Sequence, residues 1–217
     1  MTTDAVARDV AAELRALDRL TADVDIVALH ARAVRTSIEV VAQVAPSQLR
    51  RATPCAAWTL HGLLAHMIAQ HYGFAAASRG DDSMTPWKLR PLGPEPAEDY
   101  RQAAEHALAA FGREGVLDRR FTLPELSPTH QFSGRQAISF HFLDYVVHSW
   151  DVAQTIDTTV RFDDEVLESA LVAARAAAGG EARLLPGAAF GPAVPSEADG
   201  GLDAIIALLG RSPDWMN

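Results

Sequence analysis

The sequence predicts an all-α protein: a bundle of four main helices, preceded by an additional N-terminal helix and followed by a Pro/Gly-rich tail that ends in a short helix. Three observations carry this. Apolar residues recur at three- and four-residue spacing through most of the chain, which is the signature of one helix face. The segments of that kind are mostly joined by short connections, as suits antiparallel neighbours in a bundle. No internal repeat or low-complexity linker interrupts the 217 residues, a length that supports one substantial core. The expected organisation is a single domain over 1–217, with the bundle at about 22–179 and a C-terminal extension at about 180–217.

In chain order, residues 4–44 read as two helices broken near Thr21 to Asp25. The first is amphipathic and charged, as a lid or dimer element would be; the second carries a core stripe of Ile26, Val27, Leu29, Val34, Ile38 and Val41. After the turn RRATPCAAW, Thr59 is placed to cap a helix that runs to about Ser78 and stops at Arg79-Gly80. Residues 80–96, rich in Pro, Gly and Asp, predict a long loop, and Glu98 to Arg113 return to helical spacing through Tyr100, Ala103, Ala107, Leu108 and Phe111. Two short extended candidates within 115–133 read as loop or weak strand. A helix is then expected from Ser133 or Gly134 to about Ile156, and another from Asp163 to Ala178 before Gly179-Gly180. The tail PGAAFGPAVPSEADGG precedes LDAIIALL, a short last helix stopped by Gly210.

Charge and composition narrow the function. A net charge of −9 argues against nucleic-acid partners and anionic membranes, both of which need clustered Lys and Arg. No apolar run approaches the roughly 20 residues that cross a bilayer, and the start MTTDAVARDV lacks a secretory layout, so a cytoplasmic protein is expected. The single cysteine, Cys55, excludes an intrachain disulfide and any zinc site built on several cysteines. It follows Pro54 in an apolar turn with Arg50 and Arg51 four or more residues upstream, which predicts a packed rather than a nucleophilic thiol.

The stretch HFLDYVVHSWD, residues 141–151, sets polar groups into an otherwise apolar helix. At about 100° per residue, His141, Asp144, His148 and Asp151 fall within roughly 80° of one another and form one stripe. Their neighbours Phe140, Phe142, Leu143, Val146, Val147, Trp150 and Val152 bury most of the circumference, so the stripe faces inward or into a cleft. Buried imidazoles and carboxylates cost several kcal/mol unless paired or bound to a metal. Asp144 and His148, one turn apart, can reach one ion. The best third ligand is His66, whose face carries the small residues Gly62, Ala69, Gly73 and Ala77, which leave space beside its imidazole; His61 and His71 lie about 140° away on that helix, and His30 and His106 sit in charged or Ala-rich surroundings. Two imidazoles and a carboxylate suit Zn²⁺ with one position open, and Ni²⁺ or Fe²⁺ fit the same donors. Asp151 is spaced to accept the second N–H of His148. A hydrogen-bond network that only joins helices fits the same spacing, and both readings stand on the spacing alone.

Three motifs, TPCAAWTLHGLLAHM (53–67), DYVVHSWDVAQ (144–154) and FGPAVPSEADGGLDAIIALLGRSPDW (190–215), together resemble the DinB/YfiT-like metal-dependent bundles, in particular the mycothiol-dependent maleylpyruvate isomerase-like group of actinobacteria. The resemblance covers most of 22–217. It implies a DinB-like four-helix bundle whose three-ligand metal site maps onto His66, Asp144 and His148, with mycothiol as co-substrate. Where the isomerase type has a longer acidic ligand and other members a histidine, this chain has Asp144, which draws an ion toward its own helix.

Several other residues invite a role. His141 is a candidate acid/base or a residue that lines the cleft. Arg211, in LLGRSPDW, is a candidate anchor for an anionic thiol or substrate carboxylate, or else an exposed arginine beside a glycine cap. Trp58 and Trp150 are expected as core anchors. The leading functional expectation is a metal-dependent enzyme, monomer or homodimer, that brings a low-molecular-weight thiol to a small electrophile for isomerisation, addition or S-transfer. Its rivals are a metal-dependent hydrolase on the same site and a non-catalytic metal-binding or stress-response bundle.

Overall fold

A computed structural model describes residues 14–19, 21–56, 58–127, 129–177 and 190–216. They group into two compact units: Ile26–Arg161 with Met216, and the described residues up to Asp25 with Phe162–Trp215.

The first unit is a four-helix bundle of α1 (Ile26–Val41), α2 (Leu60–Ala77), α3 (Pro96–Phe111) and α4 (Gly134–Thr155). The main contacts run in a ring, α1 on α4, α4 on α2, α2 on α3 and α3 on α1. Inside it lie Val34, Leu60, Leu63, Leu64, Met67, Tyr100 and Tyr145, all buried. The ends follow the local chemistry. The Thr59 hydroxyl accepts the Gly62 N–H at 3.4 Å to start α2. Pro96 opens α3, with Glu98 and Asp99 in its first turn, where the helix dipole favours anions. Ser133 and Gln136 form a reciprocal capping box on α4, with bonds of 3.1 and 3.0 Å. Of the 22 residues of α4 only Arg135, Phe140, Asp144 and Gln154 are not buried, so this helix is the central member of the bundle.

Between α3 and α4 the two extended candidates pair as strands. A 3₁₀ turn at Val116–Asp118 leads into β1 (Arg120–Thr122), which runs antiparallel to β2 (Gln131–Ser133) with Phe121 opposite Phe132, both buried. This hairpin delivers Ser133 directly to the head of α4. The approach is close enough that a Cβ on Gly134 would stand 2.1 Å from the Val116 carbonyl oxygen and 2.9 Å from the Leu117 Cα. Backbone cannot yield as a side chain can, so Gly134→Ala is expected to cost roughly 2–3 kcal/mol of stability. A urea midpoint equal to the parent's would show that the junction relaxes freely.

One expectation is corrected. The small residues on α2 do not leave space beside His66: Gly62 lies under the Trp58 ring and Gly73 under the Trp87 ring, where added Cβ atoms would approach to 2.9 and 2.3 Å. Trp87, buried, comes from the 80–96 segment and also meets Phe74 at 5.0 Å, so that loop packs an indole onto the bundle. The helix after the bundle, α5 (Asp164–Ala177), belongs to the second compact unit and packs there on α6 (Gly201–Leu208). The expected start of the N-terminal helix and the Gly179-Gly180 stop lie outside the described residues. Gly210, at φ +85°, ends α6 in the left-handed conformation, and the Arg211 N–H reaches back to the Ile206 carbonyl at 2.9 Å. No helix among the described residues is long and apolar enough to cross a membrane.

Candidate metal centre

The polar stripe of α4 divides in two. Its C-terminal half, Asp144, His148 and Asp151, meets His66 of α2. One donor atom from each of His66, Asp144 and His148 lies within 4.8 Å of the other two. His148 stands between carboxylates, its Nε2 3.3 Å from Asp144 Oδ1 and its Nδ1 2.8 Å from Asp151 Oδ2. His148 and Asp151 are buried, whereas His66 is half-buried and the Asp144 side chain is 22% exposed, so the open side of the cluster lies at His66 and Asp144. The His66 ring stacks on Trp58, with centroids 5.4 Å apart, and meets His148 edge-on at 5.5 Å.

These surroundings set the two imidazoles to opposite protonation states at neutral pH. Burial, aided by nearby His148 and opposed by Asp144, pushes His66 down to about 4, which leaves a lone pair ready to ligate. Burial works against a charged His148 too, but Asp144 and Asp151 outweigh it and lift the group to about 9. At neutral pH this makes His148 a cation held by two carboxylates, and an ion bound in the cluster would have to displace its proton.

The N-terminal half of the stripe goes elsewhere. His141 is fully buried, which corrects its expected place in the cleft, and its Nδ1 lies 2.8 Å from His30 Nε2. Tyr145 is stacked between His141 at 4.3 Å and His71 at 4.1 Å, and its hydroxyl donates to the Met67 carbonyl. Seven residues separate His141 from His148, about 10 Å along the axis, so one face of one helix serves two layers. His30 and His71, set aside in the sequence reading, complete this inner cluster, while His61 and His106 are exposed. Their signal was present. His30 is four residues from both Ile26 and Val34, within the core stripe itself, and His71 is four residues from Met67 and Ala75, all of them buried.

Cys55 was expected as a packed, inert thiol. It is half-buried, and its sulfur lies within 4.8 Å of a donor atom of His148 and one of Asp151. The turn that carries it is closed by an Ala52–Thr59 bridge, by the Thr53 hydroxyl donating to the carbonyls of Cys55 and Trp58 at 2.9 Å, and by the Trp58 N–H on the Cys55 carbonyl. Arg51 ties it to the end of α4, donating to the Thr155 carbonyl at 2.9 Å and to Asp157 at 2.6 Å. Trp150 is a buried core anchor, as expected, whereas Trp58 is half-buried. Arg211, in the second unit, is buried rather than exposed. Its guanidinium donates to the Leu209 carbonyl at 3.0 Å and lies 5.6 Å over the Phe190 ring.

Comparison with known proteins agrees with the motifs. Two uncharacterized proteins of Mycobacterium tuberculosis, MT0763 and Rv0738, are each 29% identical over 189 residues, which cover 84% of this chain and 96% of theirs. The crystal structure of a histidine-to-alanine mutant of the mycothiol-dependent maleylpyruvate isomerase has the same fold, with a TM-score of 0.55 at 12% identity over 71% of this chain and 67% of that one. The profile of the mycothiol maleylpyruvate isomerase N-terminal domain matches residues 30–153, which span α4 almost whole, most of α1 and all the helices between. The chain therefore belongs to the mycothiol maleylpyruvate isomerase N-terminal domain family.

Proposed function

We propose that this protein is a metal-dependent enzyme that uses a low-molecular-weight thiol, mycothiol by its family, to isomerise or add to a small electrophilic substrate. The observation that supports it best is the convergence of His66, Asp144 and His148 on one point, with the open side at His66 and Asp144. Two imidazoles and one carboxylate are a donor set for Zn²⁺, with Ni²⁺ or Fe²⁺ as alternatives, and three protein ligands leave a position for an incoming group. A divalent ion held there supplies the Lewis acidity that keeps a thiol ionised at neutral pH. The chain's own residues do the rest. Asp151 holds the Nδ1 proton of His148 and so directs Nε2 toward the cluster; Trp58 fixes the His66 ring from one side. Asp144, on its short arm, would draw an ion toward α4.

The test is a thermal-shift screen of tag-free, zinc-loaded protein against mycothiol and glutathione, followed by a thiol-dependent turnover assay on maleylpyruvate and on a generic electrophile. A shift confined to mycothiol and abolished by chelation is expected, with turnover that needs both metal and thiol. Turnover of an ester without any thiol would assign the site to hydrolysis instead. No shift and no turnover from a fully metallated protein would overturn the enzyme reading in favour of a binding bundle.

A further inference from the structure

We propose that Cys55, His148 and Asp151 form a second cation site, for thiophilic ions, that competes with the His66, Asp144 and His148 set for the shared histidine. It is independent of any thiol chemistry at the first site. The donor atoms of Cys55, His148 and Asp151 all lie within 4.8 Å of one another. In a tetrahedral zinc site with bonds of 2.0–2.3 Å, neighbouring donors are about 3.3–3.8 Å apart, so the three need only small side-chain rotations to close on one ion. Asp151 and His148 are almost wholly buried, and Cys55 reaches them from a turn that Arg51 and Thr53 hold in place. The ion takes the position of the proton now shared by His148 Nδ1 and Asp151 Oδ2 across 2.8 Å.

Two consequences come from the donors. The first set offers only nitrogen and oxygen, whereas the second offers a thiolate, so cadmium or copper(I) is drawn to Cys55. A neutral imidazole has one lone pair for a metal, the other nitrogen keeping its hydrogen. An ion on Nδ1 leaves Nε2 protonated, and His148 is lost to the site shared with His66 and Asp144. On binding, the Cys55 S–H proton and the proton between His148 Nδ1 and Asp151 Oδ2 pass to solvent, sulfur–metal and nitrogen–metal bonds form and the ion sheds water; no electrons are transferred.

The experiment titrates the metal-free full-length protein with cadmium chloride alone, following the thiolate-to-cadmium absorption band in the ultraviolet and the rate at which iodoacetamide alkylates Cys55, read by mass. One cadmium per chain is expected to raise the band and slow alkylation at least tenfold. His66→Ala should keep both effects, His148→Ala should weaken cadmium binding at the thiol at least tenfold, and cadmium added to zinc-loaded protein should release the zinc. Bound cadmium with no band, or alkylation at the metal-free rate, would overturn the site in the parent protein, whatever the variants do. A band undiminished in His148→Ala would reduce it to a cysteine acting alone. Zinc retained in full while the band grows would overturn the competition for His148. Loss of zinc binding in the parent, by contrast, would count against the first site and leave the cadmium result standing.

Discussion

His66→Ala is expected to take bound zinc from one per chain to none while the helical circular dichroism stays that of the parent. The imidazole is one of the three donors of the proposed site, and an ion left with Asp144 and His148 alone would keep too few protein bonds to be held at stoichiometry. The fold does not depend on it, because the bundle's stability comes from apolar burial in the layer of Leu60, Leu63, Leu64 and Met67. His148→Ala should lose the metal equally but also lower the melting temperature, since the wholly buried Asp151 then loses its imidazole. Asp151→Asn keeps all three donors and loosens only the orientation of His148, so zinc affinity should fall by about 10- to 100-fold rather than vanish. In the parent, His148 raised to about 9 means that zinc binding at pH 7 expels its proton. Affinity should therefore rise about tenfold per pH unit from 7 toward 9. Elemental analysis and a competition titration decide all of this: full zinc occupancy in His66→Ala would remove that residue from the site.

The second large effect is acid sensitivity. Burial pushes His30 down to about 3. Burial first, and then neighbouring imidazoles, hold His71 and His141 well below the ordinary histidine value. The folded protein thus keeps them neutral where the unfolded chain protonates them. Their contribution to stability is complete above about pH 6.5 and is lost as pH falls toward the folded values, because only the unfolded state takes up protons in that window. Each group contributes a slope of up to about 1.4 kcal/mol per pH unit, and three together about 4. Against a typical stability of about 5–15 kcal/mol, unfolding should be well advanced by about pH 4. His148 does not offset this: its raised value makes a contribution that is fully present below pH 6.5 and is lost only as pH rises through about 9. His71→Phe keeps a ring against Tyr145 and removes two nitrogens that have no hydrogen-bond partner among the described residues, so it should cut the acid slope by about 1.4 kcal/mol per pH unit. Equal urea midpoints for the parent at pH 7 and pH 5 would refute the assignment.

What the sequence determined by itself was whatever depends on one segment at a time. Thr59 and the Ser133/Gln136 pair marked where α2 and α4 begin, because caps are local hydrogen bonds. Asp144, His148 and Asp151 shared a face because helical spacing is a property of a single helix, and the motifs around His66 carried the family. Tertiary structure alone decided what depends on two segments meeting. It split the stripe between two layers, so that His141 joined His30 and His71 in the core while His148 met His66. It laid Trp87 on Gly73 and closed a strand pair ahead of α4, contacts made by loops that have no periodicity to read. It brought Cys55, some ninety residues from His148 in the chain, beside the His148 and Asp151 pair, from a turn that Arg51 fastens to the far end of α4. A periodic pattern says which face of a helix is buried; only the packed chain says which side chains from other elements that face will meet.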